Sequence, residues 1–206
     1  MMRFALSDEQ WAKLTPLLSP SKPPTGRPNK DHRLVEAILW HLRTGAPWRD
    51  LPPQFGPWQS AYSRLRRWQA AGVWERVLAD LQHQADADGR LDWVRHFVDS
   101  TVIRAHQHAA GARRGHAATE ALGRSRGGFS SKLHLRAERG GKPIAVALTG
   151  GERHELLVLP DLLVGGTVRR RGPGRPRWRP EDIVGDKGYS SPEARRWLHA
   201  HRIAAV

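Results

Sequence analysis

Asp99 and Asp186 are the residues of this chain best suited to chemistry. Asp99 sits among Phe97, Val98, Val102 and Ile103, where an aspartate is out of place, because the residue is depleted in strand interiors and costly to bury without a partner. Asp186 closes the apolar run "DIVGD" and precedes "KGYSS". Taken singly, Asp99 also fits an exposed strand face or a salt bridge to an arginine, and Asp186 an ordinary turn aspartate. Taken together, in a sheet that sets the first strand beside the fourth, they are two carboxylates converging on a divalent cation.

Composition bounds the chemistry further. The chain has 206 residues, 39% of them apolar, enough for one large domain or two small ones with a buried core. Lys and Arg number 34 against 20 Asp and Glu, a net charge of +14 that favours a polyanionic partner, nucleic acid first and an anionic membrane surface second. With no cysteine there is no disulfide and no thiolate metal site, so a metal must be held by oxygen or histidine nitrogen, which suits Mg²⁺ better than structural zinc. No run approaches the roughly 20 apolar residues of a membrane span, and "MMRFALSDEQW" lacks the apolar core of a secretory signal; the expectation is a cytoplasmic protein.

The elements that must position the aspartates fall in two parts. In the first, Ser7 and Gln10 have the spacing of a capping box, and Trp11, Leu14, Leu17 and Leu18 share a helix face until the Pro-rich stretch 19–30. Leu34, Val35, Ile38, Leu39 and Leu42 mark a second helix that stops at Gly45. Pro57 opens a third, with Trp58, Tyr62 and Leu65 beside Arg64, Arg66 and Arg67, and a fourth runs from Val73 to about Leu81. The second and third helices resemble a helix-turn-helix whose basic face, Arg64, Arg66 and Arg67, would enter a major groove. A small bundle with a solvated arginine face fits the same pattern.

From Trp93 the texture becomes β-branched. The sequence predicts a strand around Asp99, a hairpin of "SKLHLRAE" and "PIAVALTG" in which Leu133 and Leu135 alternate with polar residues, a short helix, the strand "DIVGD", a helix from "SSPEARRWLHAHR" and the start of a strand at "IAAV". The fold class is therefore α/β: an all-helical N-terminal domain, residues 1–90, then a mixed sheet with helices, residues 91–206.

Basic stretches surround these elements. Between Arg104 and Lys142 nine Lys or Arg stand against two acids; Arg104, Arg113, Arg114, Arg124, Arg126 and Lys132 are candidates for a phosphate backbone. In the same stretch His106 and His108, with His116 nearby, have the spacing of a strand-borne metal pair. Six arginines and no acid occupy 169–180, among them Arg169, Arg170, Arg171, Arg175 and Arg177; the segment has "PGRP" where a minor-groove AT-hook has "RGRP", so phosphate contact is the safer reading. Lys187 and Tyr189, beside Asp186, could steady a scissile phosphate or be a turn lysine and a half-buried tyrosine.

"FVDSTVIRAHQHAAGA", "GRSRGGFSSKLHL", "LTGGERHE", "RRRGPGRPR" and "VGDKGYSS" resemble successive motifs of bacterial insertion-sequence transposases of the DDE type, over nearly the whole chain. The resemblance implies an incomplete ribonuclease-H-like catalytic domain after a helical DNA-binding region. It matches Asp99 and Asp186 to the first two catalytic aspartates. It also implies two Mg²⁺ (or Mn²⁺) ions, Asp99 bridging both and Asp186 holding one, with cleavage at the element's ends followed by attack of the freed 3′-hydroxyl on target DNA. The implied partners are double-stranded DNA, as terminal inverted repeats and target, and further copies of the chain on that DNA. The family's third ligand is a glutamate on a helix after the fifth strand, and this chain stops inside that strand. Glu193 is the nearest candidate but falls in the opening turn of its helix, and Glu152 and Glu155 precede Asp186. The expectation is a C-terminally truncated chain with an uncovered apolar sheet face. Rival readings are a DNA-binding protein without catalysis, a nuclease or resolvase on the same fold, and a basic ribosomal or nucleoid protein.

Overall fold

Ser7 opens the first helix, α1 (Asp8–Leu14), by accepting a hydrogen bond from the Gln10 N–H at 3.2 Å while Gln10 Oε1 accepts from the Ser7 N–H at 3.0 Å. The reciprocal capping box satisfies two donors that have no partner within the helix. Pro16, which has no N–H, lies in a 3-10 turn over Thr15–Leu17, so the α-helix is shorter than its apolar stripe. The computed structural model describes residues 5–18, 31–106, 121–125 and 127–206; the Pro-rich stretch 19–30 and the basic segment carrying His108, Arg113, Arg114, His116 and Arg126 lie outside the described residues.

The chain divides into two units, Met1–Leu81 and Gln82–Val206. In the first, α2 (Asp31–Thr44), α3 (Trp58–Ala70) and the start of α4 (Val73–Ala87) bury Val35, Ile38, Ala61, Leu65, Trp68, Val73 and Val77 together. Leu51 and Phe55 join that core from the connection 45–57, which contains two 3-10 turns. Helix α4 runs past the expected end at about Leu81. Its last turns belong to the second unit, where Ala85 is buried with Trp93 and Asp86 Oδ1 accepts from Trp93 Nε1 at 2.6 Å.

In the second unit β1 (Arg95–Arg104), β2 (Gly123–Ser125), β3 (Gly128–Glu138), β4 (Pro143–Gly150), β5 (Asp182–Gly185) and β6 (Ala204–Ala205) form one mixed sheet in the order β2-β3-β1-β5-β6, with β4 also paired to β3. The β1–β3 and β3–β4 pairs are antiparallel, and the β1–β5 and β5–β6 pairs are parallel, the ribonuclease-H-like arrangement. Strand β2 was not expected from its sequence, since "GRS" has neither the length nor the apolar alternation of a strand signal.

Helices α5 (Leu159–Gly165) and α6 (Pro192–Ala200) pack their Leu159, Leu162, Leu163 and Leu198 against Val98, Ala145 and Ile183 on one face of this sheet. That covered face is rich in polar side chains. His96, Lys132, His134, Arg136 and Glu138 are all buried, whereas Phe97, Ile103, Leu135, Val146 and Leu148 are exposed. Burial is tolerated because each group is paired. Arg136 Nε donates to His96 Nδ1 at 2.9 Å, Nη1 to the Leu163 carbonyl at 2.8 Å and Nη2 to the Trp178 carbonyl. Glu138 accepts from the N–H groups of Asp92 and Lys142 at 3.1 and 2.9 Å. Burial opposes ionisation of Glu138, but these donors outweigh it and hold the carboxyl at about 2. Arg95 and Asp182, opposite each other at the start of β1 and β5, form a two-point ion pair at 2.8 and 2.9 Å.

Replacing Arg136 with methionine should cost about 3–5 kcal/mol in urea denaturation of the full chain, since it leaves three carbonyls, those of Leu162, Leu163 and Trp178, and a buried imidazole without their donor. His96 gives a pH test. Burial first, and the Arg136 charge second, push its imidazole down from 6.5 to about 4. The unfolded chain thus takes up a proton that the folded chain refuses, and stability falls as pH drops from about 6.5 to 4, by roughly 3 kcal/mol. His96→Gln, which keeps an acceptor for Arg136, should remove that part of the pH dependence.

Candidate active site

β1 and β5 run parallel with Phe97 opposite Val184 and Val98 opposite Gly185. One step further along both chains come Asp99 and Asp186. Neighbouring strands lie about 4.8 Å apart, and each aspartate follows directly on the last residue that its strand pairs with the other. Both are exposed, and Asp99 therefore escapes the burial cost its apolar neighbours suggest. Asp99 Oδ1 accepts from the Ser100 N–H at 2.7 Å. Asp186 Oδ1 accepts from the Gly188 N–H at 3.0 Å and caps the 3-10 turn Lys187–Tyr189. Gly185 permits the close approach of the strands: a Cβ there would lie 2.8 Å from Val98 Cγ2 and 3.3 Å from Tyr189 Cβ.

Beneath the aspartates a polar network ties the two strands together. Tyr189 is buried and its hydroxyl lies 3.1 Å from His134 Nδ1, while His134 Nε2 lies 3.0 Å from Thr149 Oγ1, which donates to the Gly150 carbonyl at 3.1 Å. This order of partners is satisfied when the phenol donates to Nδ1 and Nε2 carries the imidazole proton. Lys132 Nζ donates to Glu155 Oε1 at 2.7 Å and to the Arg153 carbonyl at 3.0 Å, and Ser100 Oγ donates to the same Glu155 oxygen at 3.3 Å. Burial first, and then the carboxylates of Glu155, Asp186 and Asp99, push the Tyr189 phenol up to about 12. It stays neutral at physiological pH. Burial, with Lys132 second, holds His134 below its ordinary range. For Glu155, burial opposes ionisation and the Lys132 hydrogen bond outweighs it, leaving the carboxyl below its usual value.

Asp99 and Asp186 supply oxygen donors of the kind a hard divalent cation prefers. Among the described residues no group of three His, Asp or Glu stands ready to hold a metal ion. Glu193 is exposed in the first turn of α6 and pairs with Arg196 at 3.0 Å. Glu152 is also exposed. Glu155, dismissed on chain order, does approach the site: its Oε2 would be 3.5 Å from a Cβ placed on Gly188, whose N–H holds Asp186. Its other oxygen is engaged by Lys132. The signal missed in the sequence is "SKLHL", where Lys132 and His134 share the inward face of β3.

The predicted basic residues separate by exposure. Arg64 is buried in the first unit with its guanidinium 5.1 Å from the Trp68 ring, because position i to i+4 on α3 turns it to the core; Arg66 and Arg67 are exposed. Lys132 is buried on Glu155, so it is a structural cation rather than a DNA contact. Arg104 and Arg124 are exposed and line a common cleft with His106 and Phe129. Arg169, Arg170, Arg171, Arg175 and Lys187 are exposed, and Arg177 is half-buried with its guanidinium 4.8 Å from the Trp93 ring. No helix among the described residues is long and apolar enough to cross a membrane.

Residues 6–78 match the family model described as "Putative transposase of IS4/5 family", and residues 95–206 match the one described as "Transposase DDE domain". Over 110 residues, 53% of this chain and 83% of the relative, the sequence is 40% identical to "Uncharacterized protein y4sN" of Sinorhizobium fredii. It is 39% identical over 112 residues, 51% of this chain and 76% of the relative, to "Insertion element IS402 uncharacterized 16.2 kDa protein" of Burkholderia cepacia. Two solved structures are also similar, "Mos1 transposase paired-end complex with left transposon end" and "Crystal structure of a pre-cleavage Mos1 transpososome". They are 13% and 14% identical, with TM-scores of 0.32 and 0.31. In both, 89% of this chain is covered, and it spans 61% of the Mos1 chain.

The network beneath the aspartates gives a stability test. Lys132→Met should cost about 2–4 kcal/mol, because it strands the Glu155 carboxylate. The double variant with Glu155→Gln should recover at least about 1 kcal/mol of that loss, a coupling read from urea melts of the four proteins.

Proposed function

The chain belongs to the DDE-domain transposases, and on that premise we propose that Asp99 and Asp186 hold the divalent cations of a site that cuts and rejoins DNA phosphodiesters. The observation that carries the reading is the placement of the two aspartates one step beyond the last paired residues of adjacent parallel strands. When bound, Mg²⁺ or Mn²⁺ supplies Lewis-acid stabilisation of the reacting phosphate oxygens. The protein's own part is to fix the carboxylates. Ser100 and Gly188 N–H groups orient one oxygen of each, and the neutral Tyr189–His134–Thr149 chain braces the turn after Asp186. The partner is duplex DNA, first the ends of an element and then a target, in keeping with the net charge of +14. Residues 1–90 would serve as the DNA-binding domain, with Arg66 and Arg67 as its exposed cations, and residues 91–206 as the catalytic domain. Assembly of further copies on the ends belongs to the same proposal.

A second reading is favoured by one observation: among the described residues Asp99 and Asp186 belong to no group of three His, Asp or Glu that could hold a metal ion, and the nearby Glu155 is engaged by Lys132. On that reading the chain occupies element ends without cutting them.

Mn²⁺-dependent nicking of duplexes taken from the DNA flanking the chain's own coding sequence separates the two. The catalytic reading expects nicking that falls about a hundredfold or more in Asp99→Asn and in Asp186→Asn, with DNA affinity retained. Nicking that survives both substitutions removes the mechanism. Salt-sensitive binding with no nicking by any of the three proteins establishes the second reading.

A further inference from the structure

The arginine-rich segment before β5 builds a surface that the aspartates do not use. An open cleft of about 400 Å³ is lined by Trp93, Arg170, Arg175, Arg177, Arg179 and Arg202. Glu181 is the one carboxylate that lines it. The segment is pinned at its base rather than hanging free: Val168 and Arg177 exchange backbone hydrogen bonds at 2.7 and 2.8 Å, and the Trp178 carbonyl accepts from buried Arg136. The Trp178 ring packs against Trp197 of α6 and His201, the residue that caps its C-terminal end, and Arg179 Nη1 donates to the His201 carbonyl at 3.3 Å.

Arg202 has an independent peculiarity. It is the one non-glycine residue with positive φ among the described residues, at +56°. It follows the C-cap of α6, and the Ile203 N–H reaches back to the Leu198 carbonyl at 2.9 Å. Helix ends of this geometry normally place glycine at that position, because a side chain there is strained. A strained cation lining a cation-rich cleft is an outlier that points to a ligand.

We propose that this cleft is a second site for the sugar-phosphate backbone of duplex DNA, contacted by Arg175, Arg179 and Arg202. Trp93 lies just before β1 and six residues ahead of Asp99, so along an extended chain the cleft lies about 20 Å from Asp99, toward the starts of β1 and β5. Backbone contact is favoured over single-strand binding because the aromatic rings here are engaged. Trp93 is buried beneath Arg177 and Trp178 is packed on α6, leaving no free ring on which an unpaired base could stack. The inference rests on the transposase reading only for the choice of DNA as the polyanion.

The test uses the full chain, random-sequence 30-bp duplexes and a salt titration, beside thermal melts. Arg202→Gly should raise Tm by about 2–4 °C while weakening duplex binding about three- to tenfold and lowering the slope of log K against log salt by about 1. Arg202→Lys, which keeps both charge and strain, should stay near the parent in both readings. These effects need no divalent cation and should be the same in an Asp99→Asn background, so failure of the nicking mechanism and failure of this site are told apart. A raised Tm with unchanged affinity and slope overturns the proposal. So does a lowered Tm, which would mean that the arginine backbone is not strained. An equal loss of affinity for heparin or for single strands also overturns it, replacing duplex DNA with polyanions in general.

Discussion

A buried guanidinium with no carboxylate partner among the described residues organises the second unit. Arg136 remains charged at neutral pH even though burial pulls it down to about 9, and its charge is spread over carbonyl dipoles and one neutral imidazole. The carbonyls of Leu162 and Leu163 are among those left over at the C-terminal end of α5, so the arginine completes a helix end as well as its own hydrogen bonds. It cannot do so unless α5, the Trp178 segment and β1 all stand at fixed distances from β3. Gly166 completes the fit, since a Cβ there would come within 3.0 Å of Arg136 Nη1 and 2.9 Å of Ile144 Cγ2. The neutrality of His96 follows from the same contact. Its Nδ1 must accept from Arg136, which leaves Nε2 to donate to the Asp92 carbonyl at 2.7 Å.

This constraint explains where the sequence was legible and where it misled. Capping at Ser7, the β-branched run around Asp99 and the order of strands and helices are local signals, and apart from the short β2 the structure follows them. Alternation along "SKLHLRAE" was also correct, but the face it buries is the polar one. A period of two fixes which residues share a face and says nothing about which face is covered. Here α5 and α6 cover Lys132, His134, Arg136 and Glu138, and leucines 133 and 135 take the more open side. Such an inversion is stable only because partners from segments far apart in sequence, the Asp92 N–H that donates to Glu138 and the Trp178 carbonyl that accepts from Arg136, meet each polar group. No window of local sequence contains those partners.

The same reasoning sorts the cations. Counting charge along the chain treats every arginine as a potential phosphate contact, yet Arg64 lies against Trp68, Lys132 neutralises Glu155 and Arg136 serves carbonyls. A long side chain can bury its stem and still find a partner for its head, so net charge predicts a polyanionic partner without naming the residues that meet it. The aspartates are the opposite case. The pairing of the two strands that lead to them was legible, because both are short apolar runs that end on an aspartate or carry one, and β1 does lie parallel to β5.

Exposure of the two aspartates and burial of the residues that support their backbone divide the work at this end of the sheet. A carboxylate that is to bind a hydrated cation must keep access to water, and its backbone must not move when the ion arrives. In β1 consecutive residues meet these needs separately. Asp99 faces out, while Ser100 reaches Glu155, and through it Lys132, on the covered side. In the turn after β5 the same division recurs three residues apart, with Asp186 exposed and Tyr189 buried on His134. The pleat of a strand supplies this separation without any additional element. Polar residues on the covered face are therefore what lets an exposed pair of carboxylates stay in register, and a purely apolar core beneath them would hold the strands together without tying Ser100 and Tyr189 to the residues behind them.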